Sequence, residues 1–292
     1  MAAQPYPICY LNGSFLPLEE ARISPLDRGF LFADSVYEVL PAFSGRMFRF
    51  REHFDRLARS LAEICIAPPL THREWHDVLN ELIRRNGGGD MYLYVQVSRG
   101  MELGRDHTFP AQANPTVFAM ACPLPVLTDE MRERGLAAIT VEDFRWGRCD
   151  IKSTMLLANV LMKQRAKEAG AQEAIIVSNG EVLEGASTSV FLVIEGTIVT
   201  PPDSRRILPG TTRDAALEVI GEPVQRRRVS TDELVRAREI WLSAATRDVL
   251  PVTRIDGKPV GDGKPGPRWR EVNERLLEMR KRLANTPALD GT

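Results

Sequence analysis

Three groups of residues have types and spacing that could do chemistry. Lys152 lies in Arg145-Trp146-Gly147-Arg148-Cys149-Asp150-Ile151-Lys152-Ser153, after a strand-like run from Ala137 to Val141. It precedes an apolar helical pattern of Met155, Leu156, Val160, Leu161 and Ala166. A lysine at such a boundary can shed hydration and serve as a nucleophile or Schiff-base partner. Spacing alone fits a solvated or ion-paired lysine better. Glu184-Gly185 precedes Ala186-Ser187-Thr188, small residues whose backbone could approach a flat ligand. In isolation Glu184 reads as a loop acid. Leu208-Pro209-Gly210-Thr211-Thr212-Arg213 puts two hydroxyls and several N–H groups at a helix start, a combination that can hold a phosphate. Ordinary capping accounts for most matches of that kind. Together, an amine, a carboxylate and a phosphate cradle suit a phosphorylated aldehyde cofactor. The lysine would form the imine, the cradle would fix the far end, and the acid would keep a pyridine nitrogen protonated.

Competing chemistries have weaker sets. Cys149 beside Asp150 could be a thiol nucleophile, but none of the four histidines is near it in sequence. His72 and His76 could share a helix face as ligands. Capping and surface positions suit them better, and no metal is expected. No Gly-x-Gly-x-x-Gly or Walker sequence supports nucleotide binding.

The elements that hold these residues follow from periodicity. Ile8 to Pro17 predicts a hairpin about Asn12-Gly13. Ile23 to Phe32 predicts an irregular loop, and Val36 to Phe43 a strand. Phe54, Leu57, Ala58, Leu61 and Ile64 predict a helix from Arg51 to Glu63. A second helix follows the Thr71/Glu74 capping box, then strands at Met91 to Ser98 and Thr116 to Ala121. This part, 1–121, reads as a small α+β domain. The prolines near Pro123 and Pro125 mark a linker, 122–132. A larger α/β domain, 133–292, would carry Lys152 just before a helix from Thr154 to Ala169. Further strands and helices are expected there, including Ala174 to Val177, Ser189 to Ile194, Val224 to Arg228 and the helix from Thr211 to Ile220. The last residues should fray.

The chain has 292 residues, 43% hydrophobic and 26% charged, with a formal net charge of −1. That balance gives no electrostatic case for a nucleic-acid or anionic-membrane partner. Met1 to Pro7 lacks a signal-like pattern, and no apolar run has the length of a membrane span. Four scattered cysteines read as reduced thiols of a cytoplasmic protein.

The order of motifs resembles the fold-type IV pyridoxal-phosphate aminotransferases, and within them the D-amino-acid transaminase branch. The resemblance rests on Leu26-Asp27-Arg28-Gly29, Val36-Tyr37-Glu38-Val39, Glu52-His53-Phe54-Asp55-Arg56-Leu57, Arg148 to Ser153, Glu184-Gly185 and Leu208 to Arg213, and covers nearly the whole chain. It implies an α/β (α+β) fold of two domains with pyridoxal 5'-phosphate between them. By the same resemblance Lys152 is the Schiff-base lysine and proton carrier, and Glu184 the partner of the pyridine nitrogen. Arg56, Thr211 and Thr212 would contact the phosphate, Leu208 a ring face, and Ser187 and Thr188 other parts of the cofactor. Ala245 falls where the branch has a phosphate-contacting threonine, so any contact there would run through backbone or water.

Tyr37 matches the branch's tyrosine at the substrate-carboxylate pocket. Arg105 and His107 match an Arg-x-His pair that reaches in from the neighbouring subunit. Arginine, phenol and imidazole are a strong set for a planar carboxylate. The resemblance therefore implies a homodimer that moves amino groups between D-amino acids and 2-oxo acids such as 2-oxoglutarate or pyruvate. Branched-chain L-aminotransferases, (R)-amine transaminases and aminodeoxychorismate lyases share the scaffold. Arg99 is expected to be structural. Ala33-Asp34-Ser35 departs from the family's Gly-Asp-Gly, adding two side chains that would reshape the loop beside Tyr37 and with it the range of substrates.

Overall fold

The computed structural model describes residues 4–285. The residues expected to fray and the first three of the Met1–Pro7 stretch lie outside that range. The chain forms two compact units. Among the described residues, one takes those up to Leu124, the strip Ile151–Met155 and those from Arg280; the other takes Pro125–Asp150 and Leu156–Met279.

In the first unit, β1 (Ile8–Leu11), β2 (Ser14–Pro17), β3 (Ser35–Phe43), β4 (Arg46–Met47), β5 (Met91–Ser98) and β6 (Thr116–Pro123) form an antiparallel sheet in the order β2-β1-β6-β5-β3-β4. The β1–β2 turn has positive φ at Asn12 and Gly13, as a tight hairpin requires. Along β5, Met91, Leu93, Val95 and Val97 are fully buried and alternate with partly exposed Tyr92, Tyr94 and Gln96. The buried set packs in one core with Phe54, Leu57 and Leu61 of α2 (Phe50–Glu63) and Trp75, Leu79 and Leu82 of α3 (His72–Arg85). α3 begins with a complete Thr71/Glu74 capping box.

Three expectations fail here for local reasons. Part of the supposed loop before β3 is a short helix, α1 (Arg28–Phe32), begun by the Asp27 side chain accepting from the Gly29 N–H. β6 continues to Pro123, and the remaining linker contains α4 (Asp129–Arg134), capped by Thr128. Lys152, expected in the larger domain just before a helix, does not lie in that unit. Its strip belongs to the first unit, because Tyr37 N–H donates to Lys152 O at 2.9 Å and Thr154 N–H to Ser35 O at 3.1 Å. These bonds lay the strip along the free edge of β3.

The second unit is built on a mixed sheet. Its strands are β7 (Leu136–Glu142), β8 (Glu173–Ser178), β9 (Glu181–Gly185), β10 (Ser189–Ile194), β11 (Thr197–Thr200), β12 (Gln225–Arg226), β13 (Val229–Ser230), β14 (Glu239–Ala244), β15 (Asp248–Ile255) and β16 (Lys258–Pro259). Their order is β12-β11-β10-β14-β15-β7-β8-β9-β13, with β16 beside β15. α5 (Leu157–Glu168) packs on β7 and β8, and α6 (Thr211–Val219) on β14 and β15. α7 (Thr231–Arg236) and α8 (Pro267–Asn285) complete the helices among the described residues. α5 starts three residues later than periodicity predicts, and the strand expected over Val224 to Arg228 is only β12. Glu184 lies on β9, where hydrogen bonding to β8 makes a strand of the expected loop. No helix among the described residues is long and apolar enough to cross a membrane.

Candidate active site

In the first unit, strand alternation divides the chemistry of β3 between two faces. Val36, Glu38 and Leu40 are fully buried, whereas Tyr37 and Val39 are partly exposed. Tyr37 stacks on Tyr94 of β5 with ring centres 5.7 Å apart. Because Lys152 pairs with Tyr37 along the strand edge, its side chain extends over the same ring, with Nζ 4.2 Å from the ring centre. Lys152 N–H also donates to Ser60 Oγ at 3.3 Å, and Ile151 is anchored in the core. The amine is therefore positioned by backbone on one side and an aromatic face on the other.

On the helix side, Glu38 accepts from Arg56 Nε at 2.7 Å and Nη2 at 2.9 Å, and His53 Nδ1 lies 2.8 Å from its second oxygen. Burial pushes the Glu38 carboxyl up, but the Arg56 charge and hydrogen bonds, with His53, outweigh it and hold it far below the usual carboxylate range. Burial lowers His53 despite the pull of Glu38. Arg56 is thus braced by a buried carboxylate. Arg105 and His107 lie on the exposed loop between β5 and β6. Arg105 sits 5.0 Å from the centre of the Phe32 ring and the His107 ring 5.2 Å from it. None of these contacts goes to Tyr37.

In the second unit, Glu184 is buried and both its oxygens are engaged. Arg145 Nη1 donates to one at 2.5 Å and Leu208 N–H to the other at 3.0 Å. Asp143 in turn grips Arg145 through two bonds of 3.0 and 3.1 Å. Burial pushes the Glu184 carboxyl up to about 7, and the Arg145 charge and hydrogen bond only partly oppose it. Such a carboxyl would be stabilised as an anion by one more donor.

Thr211 and Thr212 are buried at the start of α6, whose N-cap, Gly210, supplies no side-chain bond. Ser189 Oγ would lie 2.6 Å from a side chain at Gly210, and Ser189 faces Ser243 across the β10–β14 pair. Thr188 Oγ1 and Ser243 Oγ are buried without a hydrogen-bond partner among the described residues. Ser243 Oγ, opposite the Ser189 that lies against Gly210, is thus an orphaned hydroxyl near a helix start, a need that a phosphate's oxygens could meet, whereas Thr188 Oγ1 lies against Gly185 beside Glu184. Ser187 is otherwise engaged: its hydroxyl donates to Glu173 Oε2 at 2.9 Å. Ala245 sits in the turn between β14 and β15, without a hydroxyl to offer. The donor set therefore fits a phosphorylated pyridine aldehyde.

Sequence reasoning assigned no role to Arg145, Asp143, Glu38, His53 or Ser243. A signal existed for Glu38, a charge at an inward position of an otherwise apolar strand. The Arg145–Glu184 contact spans 39 residues, so no local pattern announces it. The Cys149 thiol is pushed by burial up to about 11, against Arg145, and faces Trp146 O at 3.1 Å, poor conditions for a nucleophile. His76 hydrogen-bonds Asn80, and His72 lies 3.4 Å from Asp55.

A family model described as amino-transferase class IV matches residues 35–255. The chain is 40% identical over 268 residues to a D-alanine aminotransferase of Bacillus licheniformis, covering 91% of this chain and 94% of that one. It is 39% identical over 270 residues to the D-alanine aminotransferase of Staphylococcus haemolyticus, covering 91% and 95%. Among solved structures it is similar to a T.th. branched-chain amino acid aminotransferase with pyridoxamine 5'-phosphate, at a TM-score of 0.87, 28% identity and 94% of each chain.

Proposed function

The chain belongs to the class IV aminotransferases, and from that premise we propose that it is a D-amino-acid transaminase of the D-alanine type. It would pass the amino group of a D-amino acid to a 2-oxo acid such as 2-oxoglutarate or pyruvate, in a ping-pong cycle. It is a pyridoxal-phosphate-dependent enzyme. When bound, pyridoxal 5'-phosphate supplies an aldehyde that captures amines and a protonated ring that draws electrons from the substrate's α carbon.

The observation that carries the reading is the Lys152 amine lying over the Tyr37 ring at 4.2 Å. An amino acid bears its amine and its carboxylate on one carbon, so the proton carrier and the carboxylate pocket must be neighbours. In this reading Lys152 would supply the amine that holds the cofactor's aldehyde end, and its free Nζ would take the α proton from one side and hold it for return. Tyr37 orients the carboxylate. Glu184 keeps the ring nitrogen protonated, with Arg145 and Asp143 fixing its direction. Thr211 and Thr212 would hold the phosphate, Arg56, braced by Glu38, would add a cation to it, and Thr188 would contact another part of the cofactor. Leu208 would offer its side chain to a ring face. Ser187 and Ala245 contribute at most through backbone atoms.

Arg105 and His107 act, in this reading, at the site of a second copy. The working unit is then a homodimer with two equivalent sites, at work in the cytoplasm. Support for the D series comes from the carboxylate-binding types of Tyr37, Arg105 and His107 and from the names of the similar sequences. The likeness to a branched-chain enzyme keeps L-leucine as a second substrate to examine.

Single-turnover spectra of cofactor-loaded enzyme with D-alanine, L-alanine, L-leucine and (R)-1-phenylethylamine test the proposal. Amination of the cofactor by D-alanine, with little by L-leucine, is expected. Reaction with L-leucine moves the chain to the branched-chain group, and reaction with the amine alone removes the carboxylate pocket. The single turnover with D-alanine itself yields one equivalent of pyruvate, so a lyase is indicated only by pyruvate released over many turnovers from aminodeoxychorismate without an acceptor.

A further inference from the structure

We propose that Asp34, through Arg28 and Arg99, anchors the loop that carries Arg105 and His107, and is thereby a positioning residue for substrates bearing a carboxylate. The inference rests on the reading of Arg105 and His107 as carboxylate-binding groups.

The loop leaves β5 at Arg99 and returns to β6 after Pro115. Its neck is closed. Arg28 N–H donates to Gly100 O at 2.9 Å, and Asp27 and Met101 form an antiparallel bridge. Gly100 has φ +92°, and a Cβ there would stand 1.8 Å from Asn114 O, so only glycine lets the two limbs meet. Beyond the neck, residues 102–115 have no strand or helix, and the stretch from Leu103 to Phe109 is exposed. An exposed loop of that kind would wander unless something held its tip.

Two buried guanidiniums hold it. Arg28 donates through Nη1 to Asp106 O at 2.7 Å and through Nη2 to His107 O at 3.3 Å, and Nη1 is 3.5 Å from Glu102. It grips the backbone at His107 and at the residue after Arg105. Arg99 lies 3.7 Å from the centre of the Phe109 ring and donates to Ile64 O at 2.6 Å and Cys65 O at 3.2 Å. It ties the returning limb to the end of α2.

Both cations depend on one carboxylate. Asp34 Oδ2 accepts from Arg28 Nε at 2.9 Å and Arg99 Nε at 2.7 Å, and Oδ1 accepts from Arg99 Nη2 at 2.9 Å. The arginine side chains are only 5% and 2% exposed, so without an anion between them two desolvated like charges would repel. Burial opposes the charge on Asp34, but the hydrogen bonds and charges of Arg99 and Arg28 hold its carboxyl below the ordinary value. Phe32 completes the arrangement: its ring centre is 4.9 Å from the Arg28 guanidinium, and Arg105 and His107 lie against the same ring. The direction of the two side chains thus passes back through carbonyls 106 and 107 to Arg28 and from there to Asp34. A substrate without a carboxylate would not sense this chain of contacts.

The test compares wild type and Asp34→Asn as cofactor-loaded enzyme, in single-turnover reactions with D-alanine and in limited trypsin digestion without substrate. The half-saturating D-alanine concentration should rise roughly tenfold while the maximal rate changes by less than about threefold. Cleavage after Arg105, identified by fragment mass, should quicken by about fivefold or more as the loop opens. A folded variant that keeps the wild-type cleavage rate overturns the anchor, and one that keeps the wild-type half-saturation overturns the positioning role. If Asp34→Asn does not fold, Phe32→Leu, which removes the shared ring and keeps the buried charges, is decided by the same two values. Arg105→Ala separates the two levels. No change in its half-saturation means that the carboxylate reading has failed, and the specificity role with it, while faster cleavage in Asp34→Asn would still assign the loop anchor to Asp34.

Discussion

In the proposed roles Lys152 and Glu184 have opposite needs: the first would give up and regain a proton, and the second would keep one nearby without holding it. Among the described residues the fold asks little of the Lys152 side chain beyond its contact with the Tyr37 ring, since the bonds to Tyr37 and Ser60 are made by its backbone. Lys152→Ala should therefore melt within a few degrees of wild type, because surface-like truncations change stability little. Its turnover of D-alanine should fall by roughly 10²–10⁴-fold or more. Substantial transamination by a well-folded Lys152→Ala protein would refute the assignment. Glu184 gives a sign that can be worked out. Its folded value of about 7 lies above the ordinary 4.5, so the cofactor-free fold prefers the protonated acid. The associated stability is fully present below pH 4.5 and is lost as pH rises through 7. Glu184→Gln is neutral throughout and should gain on wild type across that window, by on the order of 3 kcal/mol at the upper end. His53, whose value is lowered, gives the reverse slope in both proteins and cancels from the difference. Urea unfolding of both cofactor-free proteins at several pH values measures it, and a pH-independent difference would mean that Arg145 holds Glu184 ionised throughout.

At the scale of elements, the close packing of Gly185 offers a direct test. A Cβ there would stand 1.9 Å from Thr188 Oγ1, so Gly185→Ala should destabilise by about 1–3 kcal/mol through overpacking. Adding Thr188→Ala should recover most of that loss. Strict additivity in a urea double-mutant cycle would show that the two residues do not press on each other. Much of the fold was legible where the cause is local. Asn12-Gly13 dictates a hairpin, Thr71/Glu74 and Ser230/Glu233 are complete capping boxes, and β5 and β10 have the bounds their apolar runs predict. α1 and α4, at five and six residues, are too short for a helical period to register. β9 became a strand because β8 lies beside it, a fact its own residues do not contain. The site follows the same division. Thr211 and Thr212 were readable at a helix start, whereas the bracing of Glu184 by Arg145 and of Arg56 by Glu38 comes from long-range pairing.

For the whole molecule, the proposed exchange of Arg105 and His107 between copies makes activity a function of concentration. Specific activity should fall on dilution in step with the loss of dimer followed by sedimentation, and should return on reconcentration. Full activity in a sedimenting monomer would remove the second copy from the site. The strip Ile151–Met155 has a consequence of another kind, concerning order in time. The chain makes β3, goes on to begin the second unit, and returns to the first only to lay Lys152 along the open edge of that strand. During synthesis, β3 must wait for more than a hundred further residues to emerge before its edge at Ser35 and Tyr37 is paired. A nascent chain halted near Leu124 therefore presents a bare backbone edge, the kind of surface that recruits other chains. The amine proposed to react and the cover for that edge arrive as one segment, so a chain too short to carry that amine is also one that should be prone to aggregate.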